Sequence, residues 1–168
     1  MKRQNKYFFT VIFAMVFLAV TASAQSVKKG TPAPDFSLTL PDGKAVNLAS
    51  YRGKALLLHF WATWCPPCRA ELPEMNKLAE KLASETDSKL AFLAVCVSDS
   101  EKSRSAFMKK NNYTFTGGLD ASGAIAKKYG VFGIPASFLI SPDGKIEDVF
   151  VGAMTPEKLA SFVSAYEK

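Results

Sequence analysis

A strand-like apolar run, Ala55 to Ala62, reaches Cys65-Pro66-Pro67-Cys68 after only Thr63 and Trp64, and a helix-compatible stretch from Pro67 to about Ala83 follows. Whatever fold the chain adopts must place two sulfurs at a strand-to-helix junction. The first turn of a helix presents N–H groups without intrahelical partners, together with partial positive charge, and both favour a thiolate over a thiol. Cys65, just outside the helix, is therefore the expected nucleophile, and with Cys68 it can close a small disulfide ring. Pro66 and Pro67 are tolerated in a first turn, where a missing N–H has no intrahelical role. They also remove two donors to sulfur and leave the Cys68 amide and later groups. A lowered Cys65 pKa is expected, and sulfur acidity together with ring stability sets the reduction potential.

The first two dozen residues read as a leader. Lys2, Arg3 and Lys6 form a basic head, Tyr7 to Val20 is an apolar run of 14 residues, and Ala22-Ser23-Ala24 supplies small residues at a cleavage site. Such a run is shorter than the roughly 20 residues a membrane span needs. Residues 1–24 are read as an export signal cleaved before Gln25, and 25–168 as one domain. The alternative is an uncleaved membrane anchor, since the run extends to 18 residues if Thr21 to Ala24 are included. The whole chain carries 21 basic and 15 acidic residues, for a net charge of +6. Three of the basic residues lie in the leader, so the mature chain is only +3. Its Lys28-Lys29, Lys109-Lys110 and Lys127-Lys128 pairs are not interleaved with aromatics, which argues against nucleic acid binding.

Disulfides persist outside the cytosol. Of the three cysteines, Cys65 and Cys68 pair naturally. Cys96, embedded in Leu90 to Val97, reads as a small hydrophobe in a central strand.

Alternation from Asp35 to Leu40, the turn Pro41-Asp42-Gly43-Lys44 and a return over Ala45 to Leu48 predict a hairpin ahead of the main sheet. After the cysteines, Leu72, Met75, Leu78, Ala79 and Leu82 form a stripe at helical spacing, with a kink expected at Pro73. The unbroken apolarity of Leu90 to Val97 points to a strand covered on both faces. Asp99-Ser100 caps a helix from about Glu101 to Asn111. A short strand or loop lies between Tyr113 and Leu119, then a short helix from about Ser122 to Tyr129 closed by Gly130. Ala136 to Ile140 and Lys145 to Val151 pair across Ser141-Pro142-Asp143-Gly144. Thr155-Pro156-Glu157 opens a last helix with Leu159, Phe162, Val163 and Tyr166 as its buried stripe. This order predicts an α/β fold, a mixed sheet flanked by helices on both faces.

The run Phe60-Trp61-Ala62-Thr63-Trp64-Cys65-Pro66-Pro67-Cys68 with Ile134-Pro135 resembles the thioredoxin superfamily. Asp35-Phe36-Ser37-Leu38, Tyr51-Arg52-Gly53-Lys54 and Cys68-Arg69-Ala70-Glu71-Leu72-Pro73 are similar to its exported TlpA/ResA-like branch. The resemblance implies a thioredoxin-like fold with the extra N-terminal β-hairpin and an extracytoplasmic, periplasmic setting. It implies a thiol-disulfide oxidoreductase that keeps substrate cysteines reduced, often for haem attachment to cytochromes c. The partners it implies are protein thiols and disulfides and a membrane-bound electron donor, with no cofactor. It further implies a cis bond after Ile134, with that backbone beside the cysteines. Ile134 and Pro135, with Trp64, Pro66 and Pro67, are the expected substrate-binding residues. Glu71 matches a family glutamate that tunes thiol acidity and passes protons; the alternative is a solvated helix-face carboxylate, since acids are favoured in early helical turns by the dipole alone. His59, the only histidine, stands where cytosolic thioredoxins place a buried Asp and this branch commonly an Asn. It reads either as a proton carrier for Cys68 or as a satisfied core histidine with a depressed pKa. Cys65, Cys68, Glu71 and His59 are the residues assigned to the chemistry. Of the two tryptophans, Trp64 is expected at the rim and Trp61 in the core.

Three rival functions are weighed against this. A zinc centre would need a second ligand pair, and Cys96 and His59 belong to neighbouring core strands. A peroxiredoxin-like peroxidase would share the hairpin but wants a threonine three residues before its reactive cysteine, where Ala62 stands. A binding module with a structural disulfide gains little from so short and exposed a ring.

Overall fold

The computed structural model describes residues 27–167, so the expected leader at 1–24 lies outside the described residues. Ser37–Thr39 (β1) and Ala45–Asn47 (β2) form the expected antiparallel hairpin, with Leu38 opposite Val46 and both buried. The second strand ends one residue early. The Asn47 carboxamide accepts the Ser50 N–H and Ser50 Oγ accepts the Asn47 N–H, and this reciprocal cap starts a 3-10 turn, Leu48–Tyr51.

Ala55–Trp61 (β3), Pro66–Ser84 (α1), Leu90–Val97 (β4), Glu101–Lys110 (α2), Gly117–Asp120 (β5), Ala124–Lys128 (α3), Ala136–Ile140 (β6), Ile146–Val151 (β7) and Pro156–Val163 (α4) follow. The sheet order is β5-β4-β3-β6-β7. The β3–β4 and β4–β5 pairs are parallel, and the β3–β6 and β6–β7 pairs antiparallel, so the sheet is mixed as expected. Strand β3 is buried at every position, and its alternation feeds two cores. Ala55, Leu57 and Trp61 pack with α1 and α4, whereas Leu56, Leu58 and Phe60 pack with the hairpin and α3.

Helix α1 starts at Pro66, one residue before the predicted start, and runs through Pro73 to Ser84. Leu72, Met75, Leu78 and Leu82 are buried as their spacing predicts, but so are Cys68, Glu71 and Asn76. Asn76 is paired: its Oδ1 accepts the Thr114 N–H at 2.8 Å and its Nδ2 donates to Glu80 at 2.8 Å. The segment left open between strand and loop is the edge strand β5. Its Gly117 and Gly118 admit backbone where a Cβ would come within 2.4 Å of the Ala94 and Thr39 carbonyl oxygens. Helix α3 is shorter than predicted because Asp120 Oδ2 accepts the Ile125 and Ala126 N–H groups at 2.9 and 3.0 Å, fixing a later start. Thr155 caps α4 as expected, while Tyr166 lies beyond its end and is only half-buried.

Candidate active site

Cys65 is the N-cap of α1, with Pro66 and Pro67 in the first turn and Sγ accepting the Cys68 N–H at 3.2 Å. The amide left free by the two prolines is thus the one aimed at sulfur. Cys65 and Cys68 are joined by a disulfide, their Cα atoms 5.3 Å apart. The ring is not exposed as expected: Cys65 is 3 % exposed and Cys68 fully buried. The Ile134–Pro135 peptide is cis, and the Ile134 carbonyl oxygen stands 3.7 Å from Cys65 Sγ, covering it. Trp64, Cys65, Pro66, Pro67 and Ile134 line one groove together with Val131 and Phe132.

Two residues before the nucleophile are held by the segment after β4. Thr63 donates through its amide and its hydroxyl to Asp99 Oδ2 at 2.9 and 2.6 Å, and Trp64 Nε1 donates to the Ser98 carbonyl at 3.1 Å. Trp64 is 57 % exposed and Trp61 is buried, the division expected. Burial acts to raise the Asp99 carboxyl, but the Thr63 and Ser100 donors outweigh it and hold the group below its ordinary value. Cys96 lies beneath, its Sγ 3.8 Å from Asp99 Oδ2. Burial first, then the Asp99 charge, pushes its thiol up to about 12, so it stays protonated and packs as a small hydrophobe.

His59, on β3, and Glu71, one helical turn after Cys68 on α1, meet in the core. Both are buried. His59 Nδ1 and Ser137 Oγ are 2.9 Å apart, Glu71 Oε2 accepts the Met154 N–H at 2.8 Å, and His59 Nε2 stands 3.3 Å from Glu71 Oε1. Those two facing atoms are the buried side-chain polar atoms left without a hydrogen-bond partner among the described residues. Burial lowers His59 to about 3 and raises Glu71 to about 7, the Met154 amide opposing the latter. Both groups are thus driven to their neutral forms, and one proton between Nε2 and Oε1 satisfies both atoms. With the carboxylic acid donating to Nε2, the network assigns the Nδ1–H tautomer, donating to Ser137.

Residues 29–149 match the model of the AhpC/TSA family. Over 170 aligned positions the chain is 30% identical to the thiol-disulfide oxidoreductase ResA of Bacillus thuringiensis, covering 96% of each protein. The chain belongs to this thioredoxin-like family, among its ResA-like thiol-disulfide oxidoreductases. It is also 40% identical over 136 residues to the thioredoxin-like protein YneN of Bacillus subtilis, covering 79% of this chain and 77% of that protein. A crystal structure of a thiol:disulfide interchange protein of the thioredoxin family from Chlorobium tepidum superposes with a TM-score of 0.71 at 30% identity, covering 83% of this chain and 97% of that one. The bonded Cys65–Cys68 pair accords with these oxidoreductases, and neither the peroxidase nor the structural-clip reading is favoured.

Sequence reasoning missed Ser137, Asp99 as the tether of Thr63, the Met154 amide and Phe132. Ser137 left a signal: it is the single polar residue in the apolar run of β6, and a buried hydroxyl needs a partner. No comparable signal marks Phe132 in its loop.

Proposed function

We propose that the protein is an exported reductant of protein disulfides working through Cys65 and Cys68. Residues 1–24 act as the export signal and 25–168 as the extracytoplasmic domain, supplied with electrons by a membrane-bound donor. Cytochrome c maturation is the setting that the family likeness favours. The observation that carries the reading is Cys65 Sγ seated on the Cys68 amide at the start of α1. In the reduced protein the same amide and the helix dipole stabilise a thiolate.

The Cys65 thiolate attacks one sulfur of a substrate disulfide, forming a mixed disulfide and expelling the other sulfur as a thiolate. Cys68 then loses its proton and attacks Cys65 Sγ, which releases the second substrate sulfur and closes the ring. Two electrons pass to the substrate. Ile134, with Trp64, Pro66 and Pro67, lines the substrate's approach, whereas Pro135 is buried and does not line that groove. Glu71 and His59 hold a buried proton one turn from Cys68, and through them its proton is taken up or returned.

Replacing Cys68 by Ala should trap a mixed disulfide between Cys65 and substrate proteins, visible as a thiol-reversible adduct. Trapping through Cys68 in the Cys65→Ala variant instead would reverse the two roles.

A further inference from the structure

Two grooves meet at Pro66, and their chemistry differs. The one under Trp64 and Phe132 is mainly apolar; Phe132 is fully exposed. The other, of about 740 Å³, runs from Thr63 and Pro66 past Arg69 to Lys110 and Tyr113, and none of its lining residues is acidic. Arg69 follows Cys68 directly and Lys110 ends α2; both are exposed.

Nearby carboxylates are engaged elsewhere. Glu101 holds Arg104 at 2.9 and 2.6 Å, Asp99 accepts from Thr63 and Ser100, Glu74 pairs with Lys77, and Glu71 is buried on the Met154 amide. Among the described residues, neither Arg69 nor Lys110 has a carboxylate within ion-pair distance. For Lys110 the negative end of α2 is a partial counter-charge. Arg69 has none: it sits near the positive end of α1, where a cation opposes the helix dipole and an acid would stabilise it. An unpaired cation held against its own helix, in a groove that shares Pro66 with the one lined by Cys65, is better suited to a partner than to the fold.

We propose that this groove receives an acidic segment of the substrate polypeptide, Asp or Glu residues flanking the cystine that Cys65 attacks. The inference rests on the reading of the protein as a disulfide reductant and adds a substrate preference to it. Charge complementarity of this kind acts mainly on encounter rate and is screened by salt.

The test uses the reduced mature protein and two disulfide-bonded peptides that differ only in carrying Glu or Lys beside the cystine. The Glu peptide should be reduced faster by about three- to tenfold at low ionic strength, the size expected of two exposed ion pairs, and the advantage should shrink with added salt. Arg69→Glu with Lys110→Glu should invert the preference, and should the reversal fail to fold, Arg69→Gln with Lys110→Gln should abolish it. Lys89→Glu, exposed at the opposite end of β4, should leave it intact. Equal rates for the two peptides, or a preference that survives the double substitution, would overturn the proposal. Reduction of neither peptide would instead overturn the parent reading.

Discussion

The two faces of the central sheet are made from alternate residues of the same strands and have opposite characters. Toward the hairpin and α3 the strands present Leu56, Leu58, Phe60, Leu93, Val95 and Phe138. The Tyr129 hydroxyl there donates to the Pro34 carbonyl at 2.7 Å. Toward α1 and α4 the intervening positions bring His59 and Cys96, to which α1 adds Cys68 and Glu71. The first face is held mainly by apolar burial, its buried Asp120 serving to cap α3. The other gives up some of that burial to hold sulfur, imidazole and carboxyl out of water, where their proton affinities are far from ordinary. Chemistry here is a property of one side of a sheet whose other side keeps the geometry.

The largest effect is expected on the apolar face. Phe60→Ala should destabilise the protein by about 3–5 kcal/mol, by the same amount at pH 5 and pH 7, measured by urea unfolding. A pH-dependent loss would break the distinction between the faces.

A smaller and differently shaped effect is expected opposite. Glu71, raised to about 7 by burial, holds its proton in the folded state through the range where the unfolded chain has lost it. Alone it makes stability fall as pH rises from about 4.5 to 7. His59, lowered to about 3 by burial, binds its proton only in the unfolded chain over much of that range. Alone it makes stability rise from about pH 3 to 6.5. Between about pH 4.5 and 6.5 folded and unfolded pairs each carry one proton, so the two slopes cancel in the intact protein. His59→Asn should therefore expose a falling slope, and Glu71→Gln a rising one, each of about 1.4 kcal/mol per pH unit relative to wild type. Two variants with flat differences would show that the pair does not share a proton.

Much of the fold was legible because burial on both faces leaves a plain mark. Leu90–Val97 and Ala136–Ile140 are strands with the predicted ends, and the caps at Ser100 and Thr155 stand where their side chains announced them. Strand β5 was obscure because Gly117 and Gly118 carry no strand preference; they are needed for close approach of backbone, which no local pattern encodes. The cysteine junction was readable from one stretch of chain. The His59–Glu71 pair was not, since its residues lie on different elements and each had a solvated or satisfied role open to it. The Ile134 backbone, 69 residues on from Cys65, was legible beside it only through the family resemblance, because no local pattern joins the two.

The central claim is that Cys65 and Cys68 form a working couple, and the reduction potential of that pair tests it most directly. Equilibrated against glutathione or dithiothreitol buffers, with the fraction of bonded protein read by thiol alkylation, the couple should titrate above about −300 mV, in the range of exchange-competent disulfides. A value well below about −300 mV, the range of inert structural bridges, would contradict the account.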